Sequence, residues 1–246
     1  RAPPGHSSAA SDVYKRQATS YNEIKNKKMV SNATVCIADF YRVLDQFPVQ
    51  DLHVTIPHFH HGQYYIDEFH KALNHCSSER KTQATQEINH IKFALEELAY
   101  FDEVVRQLPN RVVHFDTKIS NFLFDEDFNV KALIDLDTLM PGSILSDVGD
   151  MIRTYSNKLG EESTDFDRIK ADPETVETIV DSILQHTQLT DLEKNHLFFA
   201  GKAITLMQSI RFLTDFLKGD VYYAVNHPFH NLNRAKNQFI LYDSMN

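Results

Sequence analysis

Val113–Asp137, VHFDTKISNFLFDEDFNVKALIDLD, carries two polar clusters inside an alternating apolar stretch. One cluster is His114, Asp116 and Asn121; the other is Asp135 and Asp137. RVVHF at 111–115 reads as a strand, NFLFD at 121–125 as a second and VKALIDL at 130–136 as a third. DEDFN at 125–129 is the turn between the last two. Pairing 121–125 with 130–135 brings Asn121 beside Asp135. Asp135 and Asp137 are two residues apart, so they are expected on one face of the third strand. The loop holding Asp116 is short enough to fold back on both.

Oxygens from Asn121 and Asp135 suit a hard cation such as Mg²⁺, with phosphate oxygens completing its shell. Asp116 is not needed as a ligand and is placed to take a proton from an attacking hydroxyl. This is the layout of phosphoryl transfer, in which H-R-D-x-x-x-x-N supplies base and metal ligand and a later Asp the other ligand. Here His114-Phe115-Asp116-Thr117-Lys118-Ile119-Ser120-Asn121 keeps the His, Asp and Asn spacing. Phe115 replaces the Arg and no Phe-Gly follows Asp135, which argues against a protein substrate. A single Asp near a strand end is more often a turn residue than a catalyst; the combination favours chemistry.

Outside this stretch the period is that of helices. Ile37, Phe40, Tyr41, Leu44 and Phe47 predict a helix over 33–47, stopped by Pro48. Tyr65, Phe69 and Leu73 mark one over 64–75; Ile88, Ile91, Leu95 and Leu98 mark another over 83–107. A helix is expected over 145–158, starting near Ser146. Asp172 caps the next, with Pro173 at its first position. Thr190 and Glu193 form a capping box for a long helix to about Leu217, and a last helix follows His227-Pro228. The expected fold is mainly α with a small β insertion lying on the helical body.

Composition narrows the function. The chain has 246 residues, 42% hydrophobic and 24% charged, with net charge −9 and no block of like charges. Without a basic stripe, nucleic acid is not an expected partner. No apolar run approaches the ~20 residues of a membrane helix. Cys36 and Cys76 sit in no paired motif and point to a reducing, cytoplasmic setting. Neither GxGxxG nor GxxxxGK[ST] occurs. Residues 1–17, RAPPGHSSAASDVYKRQ, lack periodicity and are expected to be a disordered leader. SDVYKRQ resembles translated adaptor sequence from assembled environmental DNA; on that reading natural sequence begins near Ala18, the alternative being a natural floppy terminus.

The sequence resembles the aminoglycoside phosphotransferase and choline kinase family, and within it the bacterial N-acetylhexosamine 1-kinases. Beyond the hairpin, the resemblance is carried by ATSY at 18–21, DLHVTIPHFH at 51–60, IDLDTLMPG at 134–142, SDVGDMIR at 146–153, RFLTDFLKGDVYY at 211–223 and HNLNRAKNQF at 230–239. It implies Asp116 as catalytic base toward a sugar hydroxyl, Asn121 and Asp135 as Mg²⁺ ligands, and ATP as co-substrate. Asp137 would hold a second metal or brace the site. In the family, a string like ATSY follows the hinge from an N-terminal lobe that grips ATP. Residues 18–246 are therefore expected to be the C-terminal lobe of a protein-kinase-like fold, with the catalytic loop and metal strands at 111–137. The expected reaction is phosphorylation of the anomeric hydroxyl of an N-acetylhexosamine, with little activity from this chain alone. Phe115 departs from the small or polar residue usual there. The rivals are a kinase for an amino-alcohol or aminoglycoside and a non-catalytic binding module.

Other polar residues have plainer readings. Lys118 is either a phosphate contact or a surface lysine, and His114 is expected to orient the loop by hydrogen bonds. Asp147 and Asp150 begin a helix, where carboxylates are favoured; Asp147 is read as capping or bracing the loop. His58, His60 and His61 lack the partner ligands of a zinc site but could line a sugar pocket. Arg211 and Asp215 are one turn apart, consistent with an i,i+4 ion pair or, by the resemblance, with substrate binding. Phe198, Phe199, Phe212 and Phe216 are expected in the core.

Overall fold

In the computed structural model, which describes residues 18–246, Thr19–Ser20 (β1) precede helices Lys27–Leu44 (α1), Gly62–His75 (α2), Ser78–Gln83 (α3) and Thr85–Val105 (α4). Strands Arg111–Val113 (β2), Phe122–Phe124 (β3), Val130–Leu133 (β4) and Met140–Gly142 (β5) follow. Helices Ile144–Ser156 (α5), Pro173–His186 (α6), Asp191–Lys218 (α7) and His230–Asp243 (α8) complete the chain. The leader 1–17 lies outside the described residues.

Capping chemistry sets several helix starts. Thr190 Oγ1 accepts from Glu193 N (3.2 Å) while Thr190 N donates to Glu193 Oε2 (2.7 Å), the expected box. Asp172 caps α6 through Thr175 N, with Pro173 at the first position. Asn26 caps α1 through Met29 N (2.9 Å), so that helix starts six residues before the expected Ala33 and ends at Leu44, leaving Phe47 exposed. The helix expected over 83–107 is α4, Thr85–Val105, and the short α3 ends just before it at Gln83.

Helix α7 is the hub, packing against α2, α4, α5 and α8. Its Phe212 and Phe216 are buried, but Phe198 is 47% exposed and Phe199 only half-buried, because the central helix still has one outer face. Two glycines let α5 lie close: a Cβ on Gly149 would stand 2.6 Å from Ala200 O, and one on Gly201 would strike Ile152.

The strands of the β insertion, joined by β1 from before α1, form two small antiparallel sheets, β1-β3-β4 and β2-β5. Phe122 pairs with Leu133 and Leu123 with Ala132 before a bulge shifts the register at Phe124. Phe122 and Phe124 are fully buried in the same core as the helices. The third strand is shorter than expected. It ends at Leu133; Asp135 is left-handed (φ 62°) and Leu136–Thr138 make a 3₁₀ turn. Asp135 and Asp137 thus do not share a strand face.

Candidate active site

The loop from His114 to Asn121 is clamped by α5. Asp147, fully buried in the first turn of that helix, accepts His114 N (2.9 Å) and Tyr41 Oη (2.8 Å) on Oδ2, and Phe115 N (2.6 Å) on Oδ1. Its carbonyl accepts Thr117 Oγ1 (2.8 Å). Burial pushes the Asp147 carboxyl up, against the pull of the amide and hydroxyl donors. Other bonds pin the loop carbonyls: Thr138 Oγ1 donates to His114 O (2.6 Å) and Tyr155 Oη to Thr117 O (2.7 Å). His114 Nδ1 lies 3.3 Å from Asp116 N, so the ring proton belongs on Nε2, which faces Ile134 O at 3.1 Å.

This bracing holds Phe115 at φ 66°, a conformation costly for a bulky residue. Its ring lies where a Cβ on Gly142 would come within 2.5 Å of it, so Gly142 makes room. The turn presents the next residue, Asp116, whose side chain is 27% exposed. Asp116 Oδ2 accepts Lys118 Nζ (2.6 Å) and Asn121 Nδ2 (3.0 Å); Asn121 Nδ2 also holds Asp116 O (2.8 Å). Burial lowers the Lys118 pKa, but the bond and charge of Asp116, then Asp135 and Asp150, raise it overall. Ile134 N donates to Asn121 O (2.9 Å), bringing Asp135, the next residue, to the same end of the hairpin. The exposed Asp137 lies in the 3₁₀ turn, its carbonyl 3.2 Å from Thr55 Oγ1.

Asp116 and Lys118 line a cavity of about 510 Å³, together with Asp150, Arg153, His60 and Arg211. Arg153 was not singled out from sequence. Its Nε and Nη2 donate to Asp150 Oδ1 (3.1 and 2.8 Å), and its Nη1 to Glu161 Oε2 (3.0 Å) and Gln238 Oε1 (3.3 Å). The signal available was the i,i+3 pair Asp150–Arg153 inside SDVGDMIR. Burial raises the Asp150 carboxyl, opposed by the Arg153 charge.

Asp215 is placed differently. It borders an adjoining groove of about 300 Å³, which Arg211 also lines. Its oxygens accept Val221 N (3.0 Å), Tyr222 N (2.9 Å), Tyr223 N (3.0 Å) and Asn231 Nδ2 (2.9 Å). The Arg211–Asp215 ion pair is not among the contacts of the described residues; the carboxylate is committed to the loop amides. Of the three histidines, His61 caps α2 through Tyr64 N (3.2 Å) and His60 reaches the cavity. Among the described residues no group of three or more His, Cys, Asp or Glu side chains could hold a metal.

The family profile described as "Phosphotransferase enzyme family" (APH) matches residues 23–173. The chain belongs to this phosphotransferase family. The match takes in the whole clamped loop and α5 and stops before Arg211. A crystal structure of an aminoglycoside phosphotransferase from Alicyclobacillus acidocaldarius subsp. acidocaldarius DSM 446 is similar in fold, with a TM-score of 0.62 and 13% identity, over 93% of this chain and 68% of that one. The fold is therefore kinase-like and mainly helical. Among the described residues of this phosphotransferase, no helix is long and apolar enough to cross a membrane.

Proposed function

We propose that residues 18–246 form the acceptor-binding C-terminal lobe of an ATP- and Mg²⁺-dependent kinase acting on a sugar hydroxyl, the anomeric hydroxyl of an N-acetylhexosamine. The observation that carries the reading is the Asp116 carboxylate at the wall of the 510 Å³ cavity, on a loop clamped by buried Asp147. Asp116 takes the hydroxyl proton as the sugar oxygen bonds to the γ-phosphorus and the bond to ADP breaks. Lys118 offers charge to the phosphoryl oxygens. A cavity wall mixing Gln208, Gln238 and Arg153 with Phe59 and Tyr222 suits a neutral polyol with an acyl group.

Asn121 and Asp135 fit Mg²⁺ as a partial donor set. The Asn121 nitrogen is spent on Asp116, while its Oδ1 and the exposed Asp135 carboxylate have no side-chain partner among the described residues. Two oxygens are too few for an octahedral ion, so phosphate and water oxygens would complete the shell. The ion's part is to neutralise charge on the transferring phosphate. A cytoplasmic setting belongs to the same proposal and is supported by the free thiols of Cys36 and Cys76.

Calorimetric titration of the 246-residue chain with N-acetylglucosamine, N-acetylgalactosamine, choline and an aminoglycoside tests the acceptor. Saturable N-acetylhexosamine binding, retained in Asp116→Asn, is expected; its absence rejects the sugar. Phosphate-ester formation from ATP, followed by ³¹P NMR, should be slow or nil, because much of the nucleotide clamp is expected outside residues 18–246. Near-normal turnover would reject that part, and turnover surviving Asp116→Asn would reject the base.

A further inference from the structure

Arg211 projects from α7 among three aromatic rings. Its guanidinium carbon lies 5.2 Å from the centre of Phe59, 5.3 Å from Tyr65 and 5.7 Å from Tyr223. The rings come from separate places: the loop before α2, α2 itself and the loop after α7. All three distances are within the ~6 Å reach of a cation–π contact, and such a cage is a recognised receptor for quaternary ammonium groups. Here the protein's own cation fills it.

The guanidinium is fixed but not neutralised. Nη1 donates to Gln208 Oε1 (2.9 Å), and Gln208 Nε2 donates to Tyr223 Oη (3.3 Å). Among the described residues Arg211 has no carboxylate partner, since Asp215 is committed to the amides of 221–223. Arg153, the other guanidinium at the cavity, is balanced by Asp150 and Glu161. Arg211 borders both the 510 Å³ cavity and the 300 Å³ groove, and among the described residues no carboxylate is paired with it where they meet.

We propose that Arg211 is a charge filter: by occupying the Phe59–Tyr65–Tyr223 cage it excludes ammonium-bearing acceptors and admits neutral or anionic ones. This rests on the reading above that the cavity takes the acceptor. An incoming ammonium would find the rings taken and a like charge beside them. A neutral hydroxyl or acyl oxygen, or an anion, can instead accept from the remaining guanidinium N–H groups.

The probe is tetramethylammonium, titrated by NMR into the native chain and into Arg211→Met, with sodium chloride as the ionic-strength control. Roughly a tenfold gain in affinity is expected in Arg211→Met, and adding Tyr65→Leu should abolish it. Equal binding by the native chain and Arg211→Met, or a gain that survives Tyr65→Leu, would overturn the filter. If Arg211→Met does not fold, the native side chain decides. Its δ protons should be shifted upfield by the ring currents, and random-coil values would place the guanidinium outside the cage. None of these measurements uses a sugar or ATP, so failed phosphoryl transfer would strike the kinase reading and leave the cage untouched.

Discussion

His60 shows how a single side chain is set by its surroundings. Its backbone is left-handed (φ 55°); its ring stacks on Phe59 at 4.5 Å and meets the Phe115 ring edge-on at 5.4 Å. Nδ1 is buried without a partner among the described residues. Burial first, then the charges of Arg211 and Arg153, hold the imidazole well below the usual histidine range. An unfolded histidine titrates near pH ~6.5. Below that value the unfolded chain binds a proton that folded His60 refuses, so stability falls as pH drops through it and is unaffected above it. Urea titrations at three pH values spanning that point should show a steeper loss for the native chain than for His60→Gln. One proton accounts for at most ~1.4 kcal/mol per pH unit. Parallel pH slopes would remove His60 from the account.

At the scale of elements, α5 does the positioning. Its Asp147 faces three donors, from His114, Phe115 and Tyr41. Asp147→Asn replaces one acceptor oxygen with a donor, leaving a buried N–H or O–H unmatched at a cost of about 1–3 kcal/mol. The expected result is a lower urea midpoint together with faster exchange of the His114 and Phe115 amides. Asp137→Asn, in the exposed turn, should stay within about 0.5 kcal/mol. Unchanged amide exchange in Asp147→Asn would mean that the clamp lies elsewhere. Both residues are aspartates near the start of an element, and local pattern alone does not separate them. The spacing from His114 to Asn121 made the loop legible because the motif is contiguous. Asp172-Pro173 and the Thr190–Glu193 box made two helix starts legible because capping is local. The left-handed turn at Asp135 was hidden, since the alternation of IDLD continues past the point where the strand stops. Arg153 carried a local signal in its i,i+3 pair with Asp150, but its meeting with Gln238, 85 residues away in sequence, did not show in any local pattern.

At the scale of the molecule, the chemistry-bearing hairpin has no core of its own. A hairpin of three- and four-residue strands is not stable in isolation, and Phe122 and Phe124 are instead buried with the helices in one cluster. Arg111 ties β2 to the long helix through buried Glu193, with Nε 3.2 Å from Oε1. The site and the helical body should therefore unfold together. Phe122→Ala, at a fully buried position, should cost about 3–5 kcal/mol and lower the midpoint of the helical far-ultraviolet signal, although the residue is not helical. Tyrosine fluorescence, the natural probe in a chain without tryptophan, should follow the same curve. If the helical transition stayed put while an earlier, separate loss of tyrosine signal appeared, the hairpin would be a detachable unit. The loop that presents Asp116 would then owe its shape to local bonds and not to the shared core.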